Sequence, residues 1–588
     1  VLKFTAPPIP SRCEQPSRVA YVLDPGALLT CGVEAPIKAV HEPCIHNELA
    51  AARNRVCAEH DEIDDACLEQ EDKLHTGCCF SRRAGRKKCP LTREACAAME
   101  RMHKRYLHNK KEIPQLTPAH PVDIVAGYMG TKKNTMNLAY HSLLVHDLNR
   151  ADSKGSMFVK VEHVEYDKGL GGAYINYHPE SHDYRRTTNK DPRGIQFRSR
   201  RYVAALACFL KPFEEAWYHK PGNGPTRTRQ VAKGLNPRQR AMLLRKKAAA
   251  FRDPVYLLLD HSRFDSFVYE WLLKHEHKHY LHAYRGNPEA LKILKQLLKQ
   301  QIINRLRSRH GVKYKLRGTR LSGDFNTGLG NTVINEEMFE SILADWGIEL
   351  FELLLDGDDS VIIIEREDLH KVDMSLFKYY HMKTKLNVVD RFEDVEFCQC
   401  KPVEVEPGQW TMARNPVRFL QHFTTQRNDN GPEKWSTVAG YALCEFVANN
   451  GVPVLSVLCA EVYKHLEKRQ INFKHSGLSK QMLRPLQYEH RIISITPEAR
   501  ASFAKAWGIE VPQQIALETM FKNDMANVLM GNTQHRQVKI KPDKPITREL
   551  CTLSFIDLSY KEAPTKVDRV SEHVAKWRSE LLKIAKQI

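Results

Sequence analysis

The chain has 588 residues, 89 Lys and Arg against 70 Asp and Glu, and a formal net charge of +19. Such a length exceeds what one hydrophobic core serves, so several subdomains are expected. The charge points to a polyanionic partner, because neutralising phosphates releases counterions. No apolar run approaches the ~20 residues that span a bilayer, and no secretory leader is visible, so nucleic acid is favoured over an anionic membrane. Val1 in place of Met suits a processed, readthrough or trimmed product, with any membrane tether expected outside this chain. Nine of the fifteen cysteines fall between Cys13 and Cys96, and the odd total suits reduced thiols better than a secreted disulfide framework.

The first hundred residues mix prolines, cysteines and acidic helix-like runs. His75, Cys78, Cys79, Cys89 and Cys96 offer zinc ligands without paired C-x-x-C spacing, so plain thiols are preferred to structural zinc there. A basic helical run, RMHKRYLHNKKE, follows. In YMGTKKNTMNLAYHSLL, Gly130 and the Lys132-Lys133 pair stand before an amphipathic helix, where a phosphate backbone could approach, or where they simply form a basic surface turn.

Met157–Glu162 reads as a strand carrying Lys160. Lys190, Arg193, Arg198, Arg200, Arg201 and Lys211 are then interleaved with apolar residues, as in an extended basic finger along a triphosphate or nucleic-acid backbone; a charged edge strand fits equally well. Arg227–Phe251 has helical spacing after Asn236-Pro237 and is expected to line a channel or lie on the surface.

Val255–Leu259 is apolar enough for a buried strand, with Asp260 at its C-terminal end and Asp265 where a helix begins. Carboxylates at strand ends are where open sheets place ligand chemistry. His275, His277 and His279 read as a solvated helix face, because no carboxylate or cysteine at ligand spacing accompanies them. In RGTRLSGDFNTGLGNT, four glycines and the polar Ser322, Asp324, Asn326, Thr327 and Asn331 lead into a helix that is expected to be amphipathic, with Ile334, Met338, Phe339, Ile342 and Leu343 inward.

The chain is organised around LFELLLDGDDSVIIIE. Phe351–Leu355 and Val361–Ile364 flank Asp356-Gly357-Asp358-Asp359, a strong hairpin signal with carboxylates at the tip. Adjacent like charges there call for a cation, and hard divalent ions with oxygen ligands suit them. FKYYHMKTKLNVV reads as the end of a helix carrying Lys383 and Lys385, and VEFCQCKPV as a further strand pair. Long helical patterns then run from Val438 to Leu466 and from Pro497 to Met525. Carboxylates from a strand end and from a hairpin tip are what two magnesium ions roughly 3.5–4 Å apart require.

The ordered motifs resemble viral RNA-dependent RNA polymerases of positive-strand RNA viruses, of the tombusvirus-like group. They are Y-x-G-x-K-K at Tyr128–Lys133, FVKVE at Phe158, the arginine finger ending in LKPFEE, LDHSRFD, SGDFNTGLGN, GDD, EFCQ at Glu396, RNP at Arg414, NGVPVL at Asn450 and TPEARASFAKAWGI at Thr496. They cover about Pro121 to Met520.

The resemblance implies an α+β right hand. It comprises an N-terminal extension (1–120), fingers (121–252), a palm with an antiparallel sheet and flanking helices (253–425, with a fingers insertion near 275–315), a mostly helical thumb (426–530) and a C-terminal tail (531–588). It implies Asp260 and Asp358 as principal Mg2+ ligands with Asp359 auxiliary, Mn2+ being able to substitute. Asp265 with Asn331 would sense the ribose 2′-hydroxyl, Ser322, Gly323 and Thr327 would shape the nucleotide pocket, and Arg193, Arg198 and Arg200 would face the triphosphate. Lys132, Lys133, Lys160, Lys190 and Lys211 would contact RNA, and Lys385, preferred to Lys383, would protonate pyrophosphate. Expected partners are template and nascent RNA, NTPs, other replicase proteins and host factors, at membrane-associated replication complexes in the host cytoplasm. His261 after the aspartate and Asp356 before the GDD depart from the commoner pattern. A reverse transcriptase would more typically carry an aromatic residue ahead of the paired aspartates and a bulky steric gate, and an RNA-binding scaffold leaves the convergent carboxylates unexplained.

Overall fold

The computed structural model describes residues 37–41, 48, 51–52, 55, 93–128, 130–160, 163–166, 176–178, 183–185, 192–416, 419, 433–466, 493–533 and 538–540. The expected zinc-ligand candidates other than Cys96, together with Lys190 and most of the C-terminal tail, lie outside them. Helices and mainly antiparallel sheets make up the described chain.

Its centre is a four-stranded antiparallel sheet in the order Phe351–Asp356, Asp359–Glu365, Pro254–His261, Thr384–Val389. Leucine and β-branched residues build these strands, and both faces are covered. Val255, Leu257, Leu259, Leu353, Leu355, Ile362 and Ile364 pack against the Thr327–Asp345 helix. The alternate residues Tyr256, Leu354, Val361 and Ile363 pack against the Pro237–Ala248 helix and the Cys400–Arg414 hairpin. Strand period two therefore sends His261 to the first face and Asp260 to the second.

The Thr327–Asp345 helix is not amphipathic as expected: every residue from Leu329 to Leu343 is buried, including Asn331, Asn335, Glu336, Glu337 and Glu340. It runs between the sheet, the Arg93–Asn109 helix and the Glu270–Ala283 helix, so each of its faces meets protein. A helix buried all round must pair its polar groups internally. Its partners include Asp265, Lys220 and the turn at Gly357, so the helix ties distant segments of the chain together.

Other expectations are adjusted by local chemistry. Among the described residues the basic finger is a strand over Gly194–Phe197; from Arg200 a 20-residue helix begins, capped by Ser199, and carries Lys211. Thr384–Val389 is a sheet strand where a helix end was expected. The Val438–Leu466 pattern divides into helices Glu433–Ala448 and Leu455–Leu466. Pro497–Met525 divides at Gly508, a left-handed C-cap. These four helices share one apolar cluster with Val403, Val405 and Ala413. A second sheet, Gly194–Phe197, Gly155–Val159, Ile303–Ser308 and Lys313–Arg317, shares its core with Ala51 and Ala52. Glu48 reaches the same sheet, accepting hydrogen bonds from the Ser308 hydroxyl and the His310 amide. The described cysteines, Cys96, Cys208, Cys398, Cys400, Cys444 and Cys459, are free thiols, and the other N-terminal cysteines lie outside the described residues. No described helix is long and apolar enough to cross a membrane.

Candidate active site

The apolar hairpin strands pair through Asp356 and Asp359, leaving Gly357 and Asp358 as a two-residue turn. Gly357 has φ +77°, which glycine adopts without strain. The turn is held from the buried helix: Gly357 N–H donates to Thr332 Oγ1 at 3.0 Å, and Asn335 Nδ2 donates to the Gly357 carbonyl at 3.2 Å.

Register then lines up the chemistry. Ser360 pairs with Leu259, so Asp359 stands one step further on, beside Asp260. On the other edge Lys385 is the direct partner of Asp260. Asp359, Asp260 and Lys385 thus share one sheet face across three adjacent strands, all solvent-exposed at the mouth of a buried sheet.

Electrostatics bear out the crowding. Partial burial in the cleft, with Asp265 and Asp359 nearby, pushes Asp358 up to about 6. Burial and then Asp356 and Asp260 push Asp359 up as well. Carboxylates that raise one another are short of a cation, and a donor set made only of carboxylate oxygens suits hard divalent ions.

Asp356, the cross-strand partner of Asp359, is held by cations of the protein itself. Its carboxylate accepts from Arg240 Nη2 at 2.5 Å and pairs with Lys233, both on the segment expected to line a channel or the surface. Lys247 of the same helix is buried and paired with Glu352 at 2.6 Å. The basic run therefore clamps the hairpin from the face that also carries Asp359.

Asp265, in the short Phe264–Phe267 helix, accepts from Asn331 Nδ2 at 2.8 Å. Arg320 Nε donates to Asn331 Oδ1 at 3.0 Å and fixes the amide's orientation, while Arg320 is itself ion-paired with Glu276. Gly330 is required there, because a Cβ would overlap Glu276 and Arg320. Arg55 Nη2, from a segment with no expected role, lies 3.3 Å from Asp265 Oδ2.

The loop before the buried helix is tied to the neighbouring sheet: Ser322 Oγ accepts from the Gln196 amide, and Gly323 N–H donates to the Gln196 carbonyl. Thr327 Oγ1 donates to the Leu321 and Asp324 carbonyls, within its own loop.

Arg193 and Arg200 are exposed, but Arg198 is not on the cleft surface. It is 1% exposed, ion-paired with Asp324, and donates to Asn304 Oδ1 and to the Gln300 and Ser153 carbonyls. Expected to face a triphosphate, it is consumed inside the fold. Lys132 and Lys133 are exposed on the Gly130–Val145 helix. Burial and the positive charges of Arg200 and Lys211 push Lys132 down, and its ammonium lies over the Tyr128 ring. Lys211 pairs with Glu214. Lys160 donates its backbone N–H to the Arg193 carbonyl.

His275, His277 and His279 are buried rather than solvated, at 3%, 6% and 1% exposure. Their partners, Glu337 and Gln301, come from elsewhere in the chain, where spacing along one helix could not show them.

Residues 177–528 match the sequence family described as viral RNA dependent RNA polymerase. The chain belongs to this family. The RNA-directed RNA polymerase of tobacco necrosis virus (strain A) is 31% identical over 421 residues, 69% of this chain and 54% of that protein. Those of tomato bushy stunt virus (strain Cherry) and groundnut rosette virus (strain MC1) are each 30% identical, over 66% and 74% of this chain. The chain spans about half the length of the curated polymerases it matches. Several residues that hold the polymerase motifs together, Arg55, Lys233, Arg240, Thr332, Asn335 and Arg320, had no sequence signal separating them from ordinary surface or helix positions.

Proposed function

We propose that this chain carries out template-directed RNA synthesis from NTPs in replication and transcription of a positive-strand viral RNA genome. The observation that carries the reading is the alignment of Asp359, Asp260 and Lys385 on three adjacent strands, with Asp358 at the turn beside them. Asp260 and Asp358, supported by Asp359, would hold two Mg2+ ions, which when bound lower the pKa of the attacking 3′-hydroxyl and neutralise the phosphates.

The protein's own groups supply the rest. Lys385, opposite Asp260 and exposed, would give a proton to departing pyrophosphate. Asp265 can accept a hydrogen bond from a ribose 2′-hydroxyl, while Asn331, its oxygen already engaged by Arg320, can only donate. A deoxyribose would offer neither of these contacts. Arg193 and Arg200 supply exposed charge for phosphates, and Lys132 and Lys133, with the half-buried Lys160, supply charge for an RNA backbone. Fingers, palm and thumb correspond in this reading to the second sheet and its helices, the central sheet, and the C-terminal helices. Primer-independent initiation, contacts with other replicase and host proteins, and residence at cytoplasmic membrane-associated complexes extend the same reading.

The test is nucleotide incorporation on primed and unprimed RNA templates, with ribo- and deoxyribonucleotides. Asp358→Asn is expected to abolish incorporation while leaving RNA binding nearly intact. Substantial residual synthesis would sink the two-ion assignment, and a preference for deoxyribonucleotides would favour a reverse transcriptase.

A further inference from the structure

Away from the carboxylate cluster, the two long helices that flank the buried core make a second arrangement of metal-ligating side chains. His275 and His279, spaced i and i+4, share one face of the Glu270–Ala283 helix, and Glu337 comes from the Thr327–Asp345 helix. One ligand atom from each lies within 4.8 Å of the others. His275 Nε2 is 2.5 Å from Glu337 Oε2, and His279 Nε2 is 2.9 Å from Oε1. We propose that His275, His279 and Glu337 bind one zinc-class divalent ion that ties these helices together.

Three observations carry this. The ligands are buried, Glu337 completely, so the site lies in the core and not on a solvated face. The donor set, two imidazoles and one carboxylate, suits zinc, whereas magnesium prefers oxygen ligands and retained water. Zinc bonds of ~2.0–2.1 Å separate tetrahedral ligand atoms by roughly 3.3 Å. The 2.5 and 2.9 Å contacts open by under an ångström, and ligand atoms as much as 4.8 Å apart close by up to about 1.5 Å, to admit the ion.

Charge makes the same demand. Glu336, Glu337 and Glu340 are all fully buried along one helix. Lys220 pairs with Glu336. Glu340 is met by the neutral amides of Asn109 and Asn223, and Glu337 by Asn109 and the two imidazoles. Three carboxylates thus face one ammonium, with amides, an indole and imidazoles as their other partners, a setting that a divalent cation would complete.

The surroundings hold the rings in place without competing for them. Trp217 packs edge-on against His279 at 4.8 Å between ring centroids, and Tyr106 lies edge-on to both imidazoles at 6.2 and 4.7 Å. His279 Nδ1 has no hydrogen-bond partner among the described residues, so the ring's one polar engagement is with Glu337. The site shares no residue with the catalytic carboxylates, and loss of one metal is separable from loss of the other.

The experiment is elemental analysis of the full chain after extensive dialysis, alongside His275→Asn/His279→Asn and Glu337→Gln. The unmodified protein is expected to retain about one equivalent of zinc more than either variant, whatever the N-terminal cysteines bind. Equal zinc in all three overturns the proposal. Should a variant fold poorly, Co2+ added to the metal-stripped unmodified chain is decisive: a visible d–d band of four-coordinate cobalt with nitrogen and oxygen ligands is expected. Its absence, or a spectrum of thiolate charge transfer alone, rejects the site.

Discussion

His261 Nε2 lies 2.9 Å from Asn335 Oδ1, and the same asparagine donates its Nδ2 to the Gly357 carbonyl. On its other side His261 Nδ1 meets Thr384 Oγ1 at 2.8 Å. A buried chain of hydrogen bonds therefore runs from the strand carrying Lys385, through the residue after Asp260, to the turn carrying Asp358. A neutral imidazole suits it, with Nε2–H donating to Asn335 and Nδ1 accepting from the Thr384 hydroxyl.

Replacing His261 by alanine breaks the chain without touching a carboxylate. It leaves buried groups on Thr384 and Asn335 unpaired, at about 1–3 kcal/mol, and frees the turn to shift. Single-turnover incorporation is expected to fall at least tenfold, with RNA affinity unchanged. Loss of RNA binding in step with synthesis would show a general unfolding instead. His261→Gln, which can donate and accept, is expected to recover part of the rate.

The residues with local signatures were legible in the sequence, and those defined by partners far along the chain were not. Asp-Gly between apolar runs announced the hairpin, and Val255–Leu259 announced the strand ending near Asp260. His261 was visible only as a departure, since Asn335 stands 74 residues away. The histidines of the Glu270–Ala283 helix looked solvated because Glu337 is 58 residues or more beyond them. The Thr327–Asp345 helix looked amphipathic because its glutamates and asparagines carry no mark of the partners that allow their burial.

Acid stability follows from two buried imidazoles. Burial pushes His261 and His277 down to about 4, from an ordinary value of 6.5. The unfolded chain then binds protons first as pH falls, so the stability contribution is full above about 6.5 and drains away toward 4. Each group accounts for at most ~3 kcal/mol over that window. The melting temperature is expected to drop progressively between pH 6.5 and 4, and His277→Gln to flatten that slope. An unchanged slope would mean His277 is charged in the native state.

Arg240 and Lys233 on Asp356 secure the base of the hairpin turn. Arg240→Met keeps much of the packing volume but leaves a nearly buried carboxylate with one partly exposed ammonium. Breaking such a pair costs about 3 kcal/mol. The expected outcome is a lower melting temperature together with slower incorporation, because the strand that ends in Asp356 sets the turn. Full activity in Arg240→Met would show that the hairpin's own register suffices.

In the proposed function, sugar selection would fall to Asp265 and Asn331. Asn331→Ala removes the donor and releases Arg320 Nε, so the ratio of kcat/KM for NTPs over dNTPs is expected to fall at least tenfold, about 1.4 kcal/mol. Arg55, reaching Asp265 from the N-terminal region, competes for the same carboxylate. Arg55→Ala is therefore expected to change KM for NTPs while leaving the ribose preference in place. A collapse of that preference would make Arg55 part of the sugar contact.

Arg198 separates two readings of the basic finger. A guanidinium facing a triphosphate would tolerate lysine in the fold, and Arg198→Lys would raise KM for every NTP at an unaltered melting temperature. The structure gives Arg198 four partners, Asp324, Asn304 and the carbonyls of Gln300 and Ser153, which meet its planar fork from several directions. A lysine ammonium cannot satisfy that geometry. It leaves Asp324 under-paired in a buried site, at a cost of about 3 kcal/mol. Because Asp324 lies between Gly323 and the start of the Thr327–Asp345 helix, the substitution would also loosen the loop bearing Ser322. A marked drop in melting temperature, with lower kcat and little change in KM, is the expected pattern for Arg198→Lys, and Arg200→Lys, at an exposed position, is expected to show the reverse.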